Sequence, residues 1–147
     1  MEQKKAGIEK QSDDLAKSLE GLFKSLPHLP QNVTDVLVKI APWLALIFGV
    51  LGVLAGIGAM GISPFALFGG IRSGMMVFFT GLLTLASSVL MLLAYPKLTK
   101  RTHKGWTYLF WSEILNAVYA LLTVSLGSVI GVLIGLYLLF EIRRYYK

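Results

Sequence analysis

The chain has 147 residues, of which 55% are hydrophobic and 15% charged, where an ordinary soluble domain has about 25% charged. It has no cysteine, which excludes a disulfide framework, a thiol nucleophile and a thiolate metal site. The formal net charge of +6 would suggest nucleic acid for a soluble protein. Here the cations flank apolar runs, where orientation in a bilayer explains them better, so nucleic acid is not expected as a partner.

From about Ile8 to Leu26, the residues Ile8, Leu15, Leu19, Leu22, Phe23 and Leu26 recur at helical spacing, with Lys10, Asp13, Asp14, Lys17 and Glu20 mostly off that stripe. This predicts an amphipathic helix that lies on the membrane surface or pairs with a partner helix, the alternative being a solvated tail. Its charges nearly cancel, so attraction to anionic lipid is weak. The run Pro27-His28-Leu29-Pro30 breaks the helix. Residues 1–30 thus form a first unit, helix and linker, and residues 31–147 a membrane domain. The first long apolar run starts about forty residues in and exceeds a signal-peptide core, so no cleavable signal is expected.

Asn32 or Thr34 is placed to cap a helix that carries Val33, Val36, Leu37 and Ile40 on one side. It leads into a first span of about Ala41–Gly61, which Pro42 opens or kinks. The stretch Ile62–Gly70, with Pro64 and two glycines, reads as the turn between spans. A second span covers about Arg72–Tyr95 and ends at Pro96. The following loop is the most basic in the chain, with Lys97, Lys100, Arg101 and Lys104 also placed to contact anionic headgroups. The third span covers about Trp106–Leu126 and the fourth Ser128–Tyr145, with a tight turn at Gly127. No strand pattern competes. The expected fold is all-α: an up-down four-transmembrane-helix bundle behind an amphipathic helix, since each span needs about 20 apolar residues.

Of the 14 lysines and arginines, all but Arg72 fall on the side that receives both termini and the middle loop. By the positive-inside rule that side is the cytoplasm. Trp43, Tyr95, Trp106, Tyr108, Tyr145 and Tyr146 would all sit at the same interface, as aromatic belt residues do. Arg72 then anchors the outer end of the second span.

Small residues line two spans. Ala45, Gly49, Gly52 and Gly56 form a stripe in the first, and Gly127, Gly131 and Gly135 one in the fourth. Such stripes let backbones approach closely, either within one protomer or between copies. Replacing Gly131 by Leu is expected to clash with a neighbouring backbone.

Glu113 lies seven residues beyond Trp106, roughly 10 Å into the bilayer at about 1.5 Å per residue, where a carboxyl is expensive. Depth counting collects Asn116, Ser88, Thr84 and Tyr137 in the same layer, with Glu113 opposite Phe140 or Glu141. The layer has two readings: a structural cluster in which neutral Glu113 hydrogen-bonds hydroxyls and fixes register, or an ion or proton site. Glu141, beside Arg143 and Arg144, reads as a snorkelling ion-pair member. His28 and His103 have no second ligand at metal spacing. There is no GxSxG, HExxH, phosphate-loop or Ser/His/Asp set, so neither an enzyme nor a cofactor is expected.

The C-terminal half, with the lysine-bearing loop, Gly105-Trp106 and the closing run Leu136–Lys147, resembles a group of small bacterial four-helix membrane proteins to which no function is assigned. The resemblance covers about the last hundred residues and implies a bacterial cytoplasmic (inner) membrane. Small multidrug exporters share the size, but their signature carboxylate lies in the first helix, where this chain has none. The expected role is a self-associating scaffold or accessory subunit of a membrane complex, whose partners are the lipid bilayer and another copy or membrane protein. The alternative is a small carrier or channel for a proton, cation or small solute, built on Glu113.

Overall fold

The computed structural model describes residues 2–23 and 27–146, excepting the side chains of residues 2–6, 8, 9, 12, 22 and 23. The stripe positions Ile8, Leu22 and Phe23 therefore have no described side chain, and Leu26 and Lys147 lie outside the described residues. Five α-helices follow one another: α1 (Glu2–Phe23), α2 (Gln31–Ala66), α3 (Ile71–Thr99), α4 (His103–Thr123) and α5 (Leu126–Ile142). Single 3-10 turns, Leu67–Gly69 and Arg143–Tyr145, end α2 and α5. Among the described residues there is no strand.

Three segments are long and apolar enough to cross a membrane: Gln31–Gly69, Ile71–Thr99 and Leu126–Tyr145. These mark the chain as a membrane protein. Helix α4 has 21 residues but is less apolar, carrying His103, Lys104, Glu113 and Asn116. Helix α2 packs along α3, α3 along α4 and α4 along α5, while α5 meets α2 and α1 only sparsely.

Helix boundaries depart from the sequence expectation at Pro64 and Pro96, whereas Pro42 lies inside a continuous helix, one of the two arrangements expected for it. Pro42 and Pro64 both lie within α2, and Pro96 lies within α3. Proline's fixed φ is helical, and its cost is the lost N–H bond to the carbonyl four residues back. At Pro64 the orphaned carbonyl is that of Met60, and the Ser63 hydroxyl donates to it at 2.8 Å. Most of the expected turn at 62–70 is therefore helix, and only Gly70, at φ 110°, leaves helical geometry. Neither Asn32 nor Thr34 caps α2. Pro30 precedes the helix, and the Thr34 hydroxyl donates back to the Pro30 carbonyl at 3.3 Å.

The basic loop shrinks to a turn. Arg101 adopts a left-handed conformation (φ 51°), and the bonds Thr102 N–H to Lys97 O (3.0 Å) and Arg101 N–H to Leu98 O (2.9 Å) close a Schellman motif. Gly105 packs directly on that motif, since a Cβ there would lie 2.7 Å from Leu98 N. The last turn also moves. It forms at Val124, left-handed at φ 48°, and Ser125, while Gly127 lies inside α5.

Trp106 is not a belt residue. It is fully buried, stacked on Phe110 with ring centroids 5.3 Å apart, and its Nε1 donates to the Leu139 carbonyl at 2.9 Å. That carbonyl is free because Arg143 N–H turns to Phe140 O as α5 tightens. Tyr146 is buried too. Trp43 stays exposed and meets Tyr95 edge-on.

The glycine stripe of α2 faces α3. A Cβ at Gly56 would lie 2.9 Å from Leu85 N and 3.0 Å from Gly81 O, one at Gly52 would strike Ser88 Oγ, and one at Gly49 would meet the Leu92 side chain at 2.8 Å. Backbone cannot yield as a side chain can. Gly56→Ala should therefore lower unfolding stability by about 1–3 kcal/mol, and Gly49→Ala by less. Gly58→Ala, with nothing within 4 Å, should be neutral or slightly stabilising. Reversible unfolding in detergent micelles orders the three variants.

Candidate functional site

Two cavities contain the chain's distinctive side chains, and the first surrounds Glu113. A cavity of about 200 Å³ lies where α2, α4 and α5 converge, walled by aliphatic residues such as Leu44, Ala45, Leu109 and Leu138, with Glu113 as its one charged lining residue. Glu113 Oε2 accepts from Asn116 Nδ2 at 3.2 Å. Its other oxygen lies against Gly135, where a Cβ would strike Oε1 and sit 2.8 Å from Cδ. Gly135 thus makes the room that the carboxyl occupies.

Of the residues expected beside Glu113, the structure brings Asn116 to it and places the others elsewhere, while Gly135, expected only in a packing stripe, lies against the carboxyl. The Tyr137 hydroxyl donates to the Pro27 carbonyl, toward the linker after α1. Thr84 and Ser88 donate to their own helix, to Thr80 O (2.8 Å) and Thr84 O (2.6 Å), as hydroxyls in apolar helices commonly do. The Tyr137 error follows from the turn. Moving it from Gly127 to Val124–Ser125 shifts pairing across the hairpin by about five residues, so Glu113 faces Gly135 rather than Phe140 or Glu141.

The remaining glycines of α5 differ from Gly135. A Cβ on Gly131 would meet nothing within 4 Å, and one on Gly127 only Ser125 Oγ at 3.9 Å. The expected clash at Gly131 is absent within the protomer. Around Gly131, Ile130, Leu133 and Ile134 are also exposed.

The second cavity, about 540 Å³, opens at the end of the helices where α1 docks. Helix α1 reaches that end through small Ala16, fully buried, and half-buried Leu19, whereas Leu15 of the expected apolar stripe is exposed. Arg143 holds α1 in place, 2.6 Å from Glu20 and 3.4 Å from Asp13, while its guanidinium lies 4.8 Å above the Trp106 ring. Asp13 also lies 3.7 Å from His103. Glu141 pairs not with its neighbouring arginines but with His28, at 2.8 Å. Sequence reasoning missed this network, although Asp13 and Glu20, two turns apart on one helix, were its visible half.

Within the basic turn, the Lys97 ammonium lies 4.0 Å over the Tyr108 ring, and Lys100, Arg101 and Lys104 are exposed. Among the described residues no three His, Asp or Glu side chains gather as a metal set. No protein-family model matches the chain, and comparisons with curated proteins and with solved structures gave no match.

Proposed function

We propose that the protein is a non-enzymatic four-span membrane protein of a bacterial cytoplasmic membrane that works by self-association along α5, as a scaffold or as an accessory subunit of a larger complex. Helix α4 supplies the fourth span: its 21 residues reach about 31 Å, and it packs between α3 and α5 with its carboxyl turned to Gly135. With four spans the positive-inside rule puts α1, the α3–α4 turn and the C-terminus in the cytoplasm.

The observation that supports association is the uncovered outer half of α5. Leu126, Gly127, Ile130, Gly131, Leu133 and Ile134 are exposed, and glycine among such residues adds no lipid-facing bulk but admits a second helix closely. Gly131→Leu should leave the protomer folded, because the added side chain meets nothing within it, and should reduce the particle mass in lipid nanodiscs from that of an oligomer to that of a protomer. Wild-type and variant particles of equal, single-copy mass would refute association along this face. For orientation, reporters inserted between Thr99 and Arg101 or fused after Lys147 should read cytoplasmic, and one at Pro64 external.

A second reading rests on the cavity at Glu113. Its aliphatic walls favour entry from the bilayer over a hydrated path, so a transported species would be apolar or a lipophilic cation neutralised by the carboxyl. On this reading Glu113→Gln folds normally and abolishes flux of a lipophilic amine into proteoliposomes. Flux that persists in the variant would remove Glu113 from the mechanism.

A further inference from the structure

Residues 40–71 and 73–96 contain no Asp, Glu, Lys or Arg. At one end of these apolar runs, charge returns with Lys39 on α2 and with Lys97 and the α3–α4 turn on the neighbouring helix. A crevice of about 180 Å³ lies between the two helices at that end, and Lys39, Trp43, Tyr95 and Arg101 are among the residues that line it, together with buried Val38 and Leu98.

The two cations of the crevice are uncommitted. Lys39 and Arg101 are both exposed, and among the described residues neither forms an ion pair or lies over an aromatic ring. Asp35 stands one turn before Lys39 on α2 yet does not pair with it. Lys97 differs, since its ammonium is turned to the Tyr108 ring. Thr99 also lines the crevice, but its hydroxyl donates to the Tyr95 carbonyl at 2.9 Å, so polar recognition rests on the two charges. Beside them is an apolar surface. Trp43 lies one turn after Lys39 on the same face of α2, is 60% exposed, and meets Tyr95 edge-on.

We propose that this crevice is a binding site for an anionic phospholipid, with the phosphate between Lys39 and Arg101 and the glycerol and first acyl carbons along Trp43. Basic pockets between spanning helices suit such headgroups. The exposed indole is what favours lipid over a soluble anion, because an amphipathic ring at the end of an apolar run matches the level of the headgroups. A zwitterionic lipid fits less well, since its ammonium adds a third cation beside two that are already unpaired. The site rests on α2 and α3 crossing the bilayer. It does not depend on association along α5, because one protomer supplies every lining residue.

The test titrates the full-length protein in an uncharged detergent with phosphatidylglycerol or phosphatidylcholine and reads bound lipid per protomer by native mass spectrometry. Phosphatidylglycerol should bind more tightly than phosphatidylcholine. Lys39→Gln and Arg101→Gln should each weaken phosphatidylglycerol about fivefold, as loss of one cation at a membrane surface does. Lys100→Gln removes the same charge one residue from Arg101 but outside the crevice, and should bind as wild type. Arg101→Lys keeps the charge and should lose less than Arg101→Gln, which separates lost charge from a disturbed turn. A large excess of glycerol 3-phosphate should leave the bound lipid in place. The proposal is overturned if the two lipids bind equally, if Lys39→Gln and Arg101→Gln bind as wild type, or if Lys100→Gln weakens binding as much as they do, which would mean diffuse attraction to the basic turn. Displacement of the lipid by glycerol 3-phosphate would overturn it as well, in favour of a site for soluble anions.

Discussion

A single indole holds the α1 end of the molecule together. Trp106 uses its N–H to satisfy the Leu139 carbonyl that α5 leaves open, one ring face to stack on Phe110, and its π-cloud to seat the Arg143 guanidinium. The first contact pins α4 against α5. Arg143, so seated, reaches Glu20 and Asp13 and brings α1 onto the bundle. Further along the same helix pair, the register that this contact helps to fix carries Glu113 to Gly135. Two cavities thus depend on one orphan carbonyl, and in a desolvated setting leaving it unmet would cost about 1–3 kcal/mol.

The glycines divide the molecule into a closed side and an open one. On α2 the stripe Gly49, Gly52 and Gly56 is used up in contact with α3, where Gly56 meets backbone and Gly52 meets Ser88, while Gly58 and Gly61 lie outside that seam. On α5 only Gly135 is occupied, and its occupant is a carboxylate rather than a helix. The hydroxyls of α3 contribute to this division. By donating to their own turns, Thr80, Thr84, Ser87 and Ser88 need no partner across the bundle, so the seam can close on size alone. Lipid gives no hydrophobic drive for helix association, which leaves close packing as the main source of contact.

How much was legible in the sequence follows from which quantities are one-dimensional. Helical class and the apolar stretches of α2, α3 and α5 could be read from composition, because a bilayer demands long apolar helices and little else. Helix ends could not, because Pro64 is accommodated by a hydroxyl from the residue before it, and nothing in the order Ser-Pro states that the bond forms. Depth counting placed Glu113 and Tyr137 in one layer, but depth carries no azimuth. It also inherited the position of the hairpin turn, which formed at Val124 despite the strain of a β-branched residue in a left-handed conformation. Trp106 looked interfacial by type. It is buried because its single donor finds the one carbonyl that a tightening helix end releases.

Helix α2 is 36 residues long, about 54 Å at about 1.5 Å per residue, well beyond a hydrocarbon core of about 30 Å. The stretch from Pro42 to Pro64 rises about 33 Å, close to that thickness. On the proposed four-span reading the two prolines would fall near the two edges of the hydrocarbon, and at Pro64 the freed Met60 carbonyl is already met by the Ser63 hydroxyl. On that reading the three turns from Gln31 to Pro42 would stand clear of the hydrocarbon on the side of α1. On the same reading a membrane thicker or thinner by several ångströms would carry one proline into the other medium, so this helix would favour one bilayer thickness.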